Sequence, residues 1–230
     1  MIEAMAHGPL PAGVAFAEAF TDAGDAGSIR LFPEEEAYIA GAVEKRRREF
    51  TTVRGCARQA LRELGRPPAP LVSEERNAPR WPDGLVGSFT HCLGYRAAAL
   101  APADAFCAVG IDAEPDAPLS AEVAARILLP VERDAVAALE HAGPPVAWDR
   151  LVFCVKEAVY KVWHPLTGRQ LSFSDVAVEP RADGTFTARL RVSAPPAGGL
   201  PPALLQGRWA ARHELLTVGI AVPAPGAAGG

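Results

Sequence analysis

Residues 112–114, Asp-Ala-Glu, and residues 156–161, Lys-Glu-Ala-Val-Tyr-Lys, bring together three carboxylates and two ammonium groups. Carboxylate oxygens are hard ligands that suit Mg²⁺, and lysines are point charges that suit phosphate. Three acids and two bases of this kind fit a magnesium ion holding a pyrophosphate.

Each stretch also has an ordinary reading. Phe106 to Ile111 is an apolar run expected to form a buried strand, and Asp112 follows where that strand leaves the core. Asp112 and Glu114 are two apart, so in extended chain they share a face. Gly110 permits close approach by a neighbouring backbone or ligand. Alone, Asp-x-Glu is what an acidic turn offers. The second stretch lies on an expected helix from Val146 to His164, stopped by Pro165 and Gly168. Trp148, Val152, Val155, Val159 and Val162 form its apolar stripe, and Lys156, Glu157, Tyr160, Lys161 and His164 lie off it. Glu157 and Lys161 alone would make a surface ion pair contributing about 0.3–0.5 kcal/mol. The two stretches in this order, with these apolar flanks, are far more specific than either.

The surrounding chain must position them. It has 230 residues, 49% hydrophobic and 22% charged, enough for a full core in one large or two small domains. A helical pattern runs from Glu34 to about Leu64, with Thr51-Thr52 as an expected interruption and Gly65 as its stop. A proline-rich loop to Gly84 follows, then strands at 85–91, 95–100 and 106–111. Ser120 is a good N-cap for the next helical region, which Pro130 divides. Strands are expected at 176–178, 185–192, 207–212 and 215–222, after one near Val14. This order gives an α+β fold in two halves of about 110 residues, divided as 1–108 and 109–222, with 223–230 as a flexible tail. Residue by residue, no repeat between the halves stands out.

The segments resemble the signature of Sfp-type 4'-phosphopantetheinyl transferases, the enterobactin synthase component D-like enzymes. The likeness rests on Val-Gly-Ile-Asp-Ala-Glu at 109–114 and Trp-Asp-Arg-x-x-Phe-Cys-Val-Lys-Glu-Ala-Val-Tyr-Lys at 148–161. Arg46-Arg47-x-Glu49-Phe50 through Arg54, and Gly87-Ser88-Phe89-Thr90-His91-Cys92, look like the family's coenzyme A segments. Trp-Pro-Asp-Gly at 81–84 and Thr-His-Cys-x-Gly-Tyr at 90–95 are similar to the actinobacterial subgroup. Ala113, Cys154 and Val155 depart from the usual residues at positions that affect packing.

The resemblance implies two similar α/β halves related by pseudo-twofold symmetry. It implies transfer of 4'-phosphopantetheine from coenzyme A to a serine of an apo acyl or peptidyl carrier protein, releasing adenosine 3',5'-bisphosphate. Asp112, Glu114 and Glu157 would hold Mg²⁺, with Mn²⁺ as a substitute. Glu157 and Lys161 would be catalytic, Glu157 taking the serine proton, and Lys156 and Lys161 would meet the phosphates. Arg46, Arg54 and His91 would take the 3'-phosphate and adenine end, helped by Ser88, Thr90 and Arg76. On one regular helix Arg46 and Arg54 stand about 80° apart, so they converge through a break at Thr51-Thr52 or through the reach of their side chains.

Other classes are less well served. Lys45 to Arg48, with Arg54 and Arg58, form a basic stripe, but the net charge is -4 and a nucleic-acid binder is not expected. A different Mg²⁺-dependent phosphoryl-transfer enzyme is the other alternative, but no Gly-x-x-x-x-Gly-Lys-Ser/Thr loop is present, which removes its commonest nucleotide-binding version. A relative that binds coenzyme A without catalysis would not need all three acids and both lysines. Cys56, Cys92, Cys107 and Cys154 are too scattered for a zinc site or a disulfide framework. No apolar run reaches the ~18 residues of a membrane span, and the chain starts unlike a secretion signal. A cytoplasmic monomer with a cleft between its halves is the expectation.

Overall fold

A computed structural model describes residues 8–22, 29–73, 79–192 and 203–226, with the backbone of 2–4. Two sheets meet edge to edge, each backed by one long helix. Strands β1 (Ile2–Ala4), β2 (Ala15–Ala19), β3 (Leu85–Cys92) and β4 (Tyr95–Pro102) form an antiparallel sheet in the order β1-β2-β4-β3. Helices α1 (Pro33–Ile39) and α2 (Glu44–Glu63) precede β3, and α2 packs on β2 and β4. Strand β5 (Phe106–Pro115) begins the second sheet, followed by α3 (Ala121–Ile127), α4 (Pro130–Ala142) and α5 (Trp148–Thr167). Strands β6 (Val176–Pro180), β7 (Thr185–Leu190), β8 (Leu204–Arg212) and β9 (Leu215–Pro223) complete it in the order β5-β9-β8-β7-β6. No helix among the described residues is long and apolar enough to cross a membrane.

The helical break falls earlier than the threonines suggest. It lies at 40–43, and α2 then runs unbroken through Thr51 and Thr52. Their hydroxyls bond back to the carbonyls of Arg47 and Arg48, both at 2.8 Å, so the helix keeps its path. Pro165 likewise does not end α5. It sits in the last turn, where it removes only the one bond its own N–H would have made, and Gly168 ends the helix at φ 64°. The tail expected from 223 starts later, since β9 includes Pro223; residues 227–230 lie outside the described residues.

The valine stripe of α5 is fully buried, each side chain contributing about 1.5–3 kcal/mol. It lies so close to β5 that a Cβ on Gly110 would stand 2.3 Å from the Ala158 carbonyl oxygen. The glycine therefore admits a helix backbone, which fixes Glu157 and Lys161 beside the end of β5.

Strands β3 and β5 are the facing edges of the two sheets, and no ladder joins them. Side chains substitute. Ser88 Oγ accepts from Ile111 N and Thr90 Oγ1 accepts from Ala113 N, both at 3.1 Å. Residues two apart on one strand thus serve two N–H groups two apart on the other, satisfying donors that an open edge would leave bare.

Candidate active site

The two long helices and β3 enclose a cleft of about 490 Å³. Helix α2 contributes Arg46, Phe50, Val53 and Arg54; β3 contributes residues 87–91; α5 contributes Glu157, Tyr160, Lys161 and His164.

One end is basic and aromatic. Arg54 is buried, its guanidinium 3.6 Å from the Phe50 ring centroid and 4.8 Å from that of Phe89. Its Nε donates to the Leu71 carbonyl at 2.9 Å. Burial pushes its pKa down to about 10, so it stays charged at neutral pH. Arg46 is exposed at the rim, and its Nη1 donates to His91 Nε2 at 3.3 Å. That bond needs a neutral ring. Desolvation, then the Arg46 charge, lowers the His91 pKa and keeps the ring neutral. With α2 unbroken, Arg46 and Arg54 reach one cleft through side-chain length. Trp81 and Tyr38 also line it. Trp81 packs on Phe89, ring centroids 4.7 Å apart, because Gly87 leaves room for its ring. From the sequence, Trp81 belongs to the loop before β3 and to the subgroup motif, with nothing to place it in the cleft.

The other end is acidic. Asp112 is buried, and its Oδ1 accepts from Lys161 Nζ at 2.8 Å and Thr90 Oγ1 at 3.1 Å. Its Oδ2 is buried with no hydrogen-bond partner. Glu114 Oε2 accepts from Arg150 Nη1 at 3.1 Å, and Arg150 is steadied by the carbonyls of Ala117 and Pro118. Glu157 lines the cleft and bonds to no described residue. Burial, then the Asp112 charge, raises the pKa of both Glu114 and Glu157. Beneath them Cys154 is fully buried; burial first and Asp112 second push its thiol well up, so it stays protonated.

The donor set is all oxygen, and the buried Asp112 Oδ2, which no N–H or O–H group serves, is an oxygen that a hard cation would suit. Among the described residues no three such side chains stand close enough to cage an ion. Arg150 draws Glu114 aside, and Lys161 and Thr90 occupy Asp112 Oδ1.

Several sequence expectations are corrected. Lys156 does not face the cleft. It is 2% exposed, and its ammonium donates to Glu132 Oε2 at 2.7 Å and to the carbonyls of Ile127 and Phe173 at 2.8 and 3.0 Å. An ammonium has three donors, so none is left for a phosphate. Lys161 does not pair with Glu157. It crosses to β5, where it uses two donors on Asp112 and the Ile111 carbonyl, keeping the third for the cleft. Ser88 and Thr90 line the cleft, but their hydroxyls are engaged by β5. Arg76 lies outside the described residues. The basic stripe is solvated only in part: Lys45, Arg46 and Arg48 are exposed, while Arg47 bonds the Ile39 carbonyl and Arg58 the buried Glu35. All four cysteines are free.

A cleft with guanidinium groups at one end and the Glu157 carboxylate and Lys161 ammonium at the other, with Asp112 behind that ammonium, suits a phosphorylated substrate. Known sequences say which. Residues 34–101 match the family model of the 4'-phosphopantetheinyl transferase N-terminal domain, and residues 108–204 that of the 4'-phosphopantetheinyl transferase superfamily. The chain is 52% identical over 218 residues to the 4'-phosphopantetheinyl transferase Svp of Streptomyces mobaraensis, spanning 94% of this chain and 88% of that one. It is 43% identical over 221 residues to PptT of Mycobacterium tuberculosis, spanning 92% and 95%. Enterobactin synthase component D of Salmonella typhi matches at 33% over 127 residues, spanning 54% and 51%. The chain belongs to the 4'-phosphopantetheinyl transferase superfamily.

Proposed function

We propose that the chain moves 4'-phosphopantetheine from coenzyme A to a serine hydroxyl of an apo acyl or peptidyl carrier protein. The observation that carries this is the single cleft reaching from Arg46, Arg54 and His91 to Glu157 and Lys161, in a chain related along most of its length to such transferases. Arg46, Arg54 and His91 take the 3'-phosphate end of coenzyme A. A 3'-phosphate beside His91 favours its protonated ring, since a dianion stabilises a neighbouring cation. Lys161 directs its remaining N–H toward the pyrophosphate.

Asp112, Glu114 and Glu157 would hold Mg²⁺, Glu114 by exchange with Arg150, and Mn²⁺ would serve in its place. The metal supplies Lewis-acid stabilisation of charge on the pyrophosphate oxygens. The serine oxygen attacks the phosphorus that carries the pantetheine arm. The bond from that phosphorus to the oxygen bridging to the nucleotide breaks, and adenosine 3',5'-bisphosphate leaves. The serine proton passes to Glu157, whose raised pKa brings it nearer to neutrality and improves it as a base.

The halves form similar units related by a pseudo-twofold axis; the boundary expected at 108/109 falls inside β5, so the division lies instead in the turn between β4 and β5. In support, each has a strand, a long helix, then antiparallel strands whose last member pairs back on the first: β4 on β2, and β9 on β5. One chain supplies every wall of the cleft, which suits a monomer.

The test is mass spectrometry of apo carriers from fatty-acid, polyketide and nonribosomal-peptide systems, incubated with coenzyme A and Mg²⁺. The expected result is a gain of one phosphopantetheine on at least one of them. No gain on any would overturn the reading.

A further inference from the structure

Thr90 stands on the cleft wall among residues read from the sequence as coenzyme A contacts, yet its hydroxyl serves another master. It is 4% exposed, accepts from Ala113 N at 3.1 Å and donates to Asp112 Oδ1 at 3.1 Å. A hydroxyl has one proton, and this one is committed to the carboxylate. Lys161 Nζ is the second donor to the same oxygen, at 2.8 Å. Asp112 Oδ2 is left buried without an N–H or O–H donor, and the Cys154 thiol lies against the same carboxylate from beneath. Ser88, the twin of Thr90 in the seam, bonds only Ile111 N in β5 and does not touch Asp112.

We propose that Thr90 is a positioning residue for the metal site. Its hydroxyl locks the Asp112 carboxylate so that Oδ1 is consumed by protein donors and Oδ2 is the oxygen presented to the cation. The backbone bond from Ala113 fixes the hydroxyl, so the orientation of Asp112 is set by β3, a strand of the other sheet. Groups that orient a ligand from behind commonly change metal affinity ~10–100-fold when removed. The same strand carries His91 at the rim, so one rigid element spaces the nucleotide end from the metal end. This inference rests on the reading of Asp112 as a metal ligand.

The experiment measures Mn²⁺ affinity by electron paramagnetic resonance at saturating coenzyme A without carrier, and coenzyme A affinity by calorimetry in chelator. Thr90→Val should weaken Mn²⁺ binding ~10–100-fold and leave coenzyme A affinity in chelator unchanged. Thr90→Ser should restore Mn²⁺ affinity. Ser88→Ala cuts the sister seam bond but spares Asp112, and should keep wild-type Mn²⁺ affinity. Should valine prevent folding, Thr90→Ala takes its place with the same expectation. Wild-type Mn²⁺ affinity in the valine or alanine variant overturns the proposal. So does a loss shared equally by Ser88→Ala, which would mark a merely structural seam, or an equal loss of coenzyme A affinity in chelator. Absence of Mn²⁺ binding by the wild-type complex would overturn the metal reading itself, and is distinct from all of these.

Discussion

The two halves begin their helical layers alike and then diverge. Leu31-Phe32-Pro33-Glu34-Glu35 and Leu128-Leu129-Pro130-Val131-Glu132 both place proline at the first helical position and a buried glutamate two residues on. Glu35 accepts from Phe32 N, from Leu71 N and from Arg58 on α2. Glu132 accepts from Leu129 N, from Val178 N and from Lys156 on α5. Each acid caps its own helix, ties the long helix of its half and catches the chain beyond that helix. Past this shared frame, α2 offers the cleft two guanidinium groups, and α5 a carboxylate and an ammonium. The contrast separates scaffold acids from working acids. Glu35 and Glu132 are dry and saturated with donors. Asp112 keeps a bare oxygen, and Glu157 bonds to no described residue.

That comparison can be broken at its scaffold. Removing one partner of a fully buried pair costs about 3–5 kcal/mol. Lys156→Ala should therefore lose about that much stability in urea denaturation, its ammonium being 1% exposed beside a fully buried carboxylate. Arg58 is 15% exposed, so water can partly replace it, and Arg58→Ala should lose less, about 1.5–3 kcal/mol. A Lys156→Ala protein that is as stable as wild type but cannot bind coenzyme A would return Lys156 to the cleft.

Chemistry should follow the half that carries the working acids. Glu157→Gln should still bind coenzyme A with Mg²⁺, yet transfer at least ~100-fold more slowly in single turnover. High Mg²⁺ should not rescue it, because glutamine can ligate weakly but cannot take the serine proton. Full rescue would reduce Glu157 to a ligand. In the other half, Arg54→Ala should weaken coenzyme A by about 1.5–3 kcal/mol, and dephospho-coenzyme A much less. Calorimetry on both ligands checks this, and equal losses would remove the guanidinium from the 3'-phosphate.

Smaller effects come from protonation. The Glu157 pKa is raised in the folded protein, so this carboxyl stabilises the fold at acid pH and loses that contribution as pH rises through the folded value. At neutral pH its charge burdens the metal-free fold. Glu157→Gln should therefore raise the melting temperature slightly at pH 7 without metal, and the gain should vanish below about pH 4, where both states are protonated. His91 has the opposite sense. Its lowered pKa leaves the ring neutral in the free protein, and a 3'-phosphate beside it favours the proton, so coenzyme A binds with proton uptake and its preference over dephospho-coenzyme A should grow modestly from pH 7.5 to 6. A flat profile would remove His91 from the phosphate.

What the sequence made legible follows from local periodicity. The stripe of α5, the strand leading into Asp112 and the series of short strands repeat at spacings a reader can count. What it hid depends on partners distant in the chain. Nothing beside Lys156 announces that Glu132 lies behind it, and the neighbouring Glu157 and Lys161 invite the opposite reading. The matching helix starts share only leucine, proline and glutamate among five positions, too little for a repeat to stand out. Thr90 was assigned by its neighbours in sequence, while its bonds run to a strand that begins after β4 has ended.

The seam between β3 and β5 has a mechanical consequence. Parting β5 from β9 would break a ladder that runs unbroken from Ala108 to Pro115, past a bulge at Cys107. Parting β3 from β5 exposes the N–H groups of Ile111 and Ala113 and the carboxylate of Asp112, all of which water can serve. Beneath the seam lies oily contact among Tyr95, Ala97, Ala99, Val109, Ile111 and Ala113, which has no preferred direction and tolerates slip. The molecule is therefore stiff within each sheet and compliant along one line, and that line runs beside the cleft.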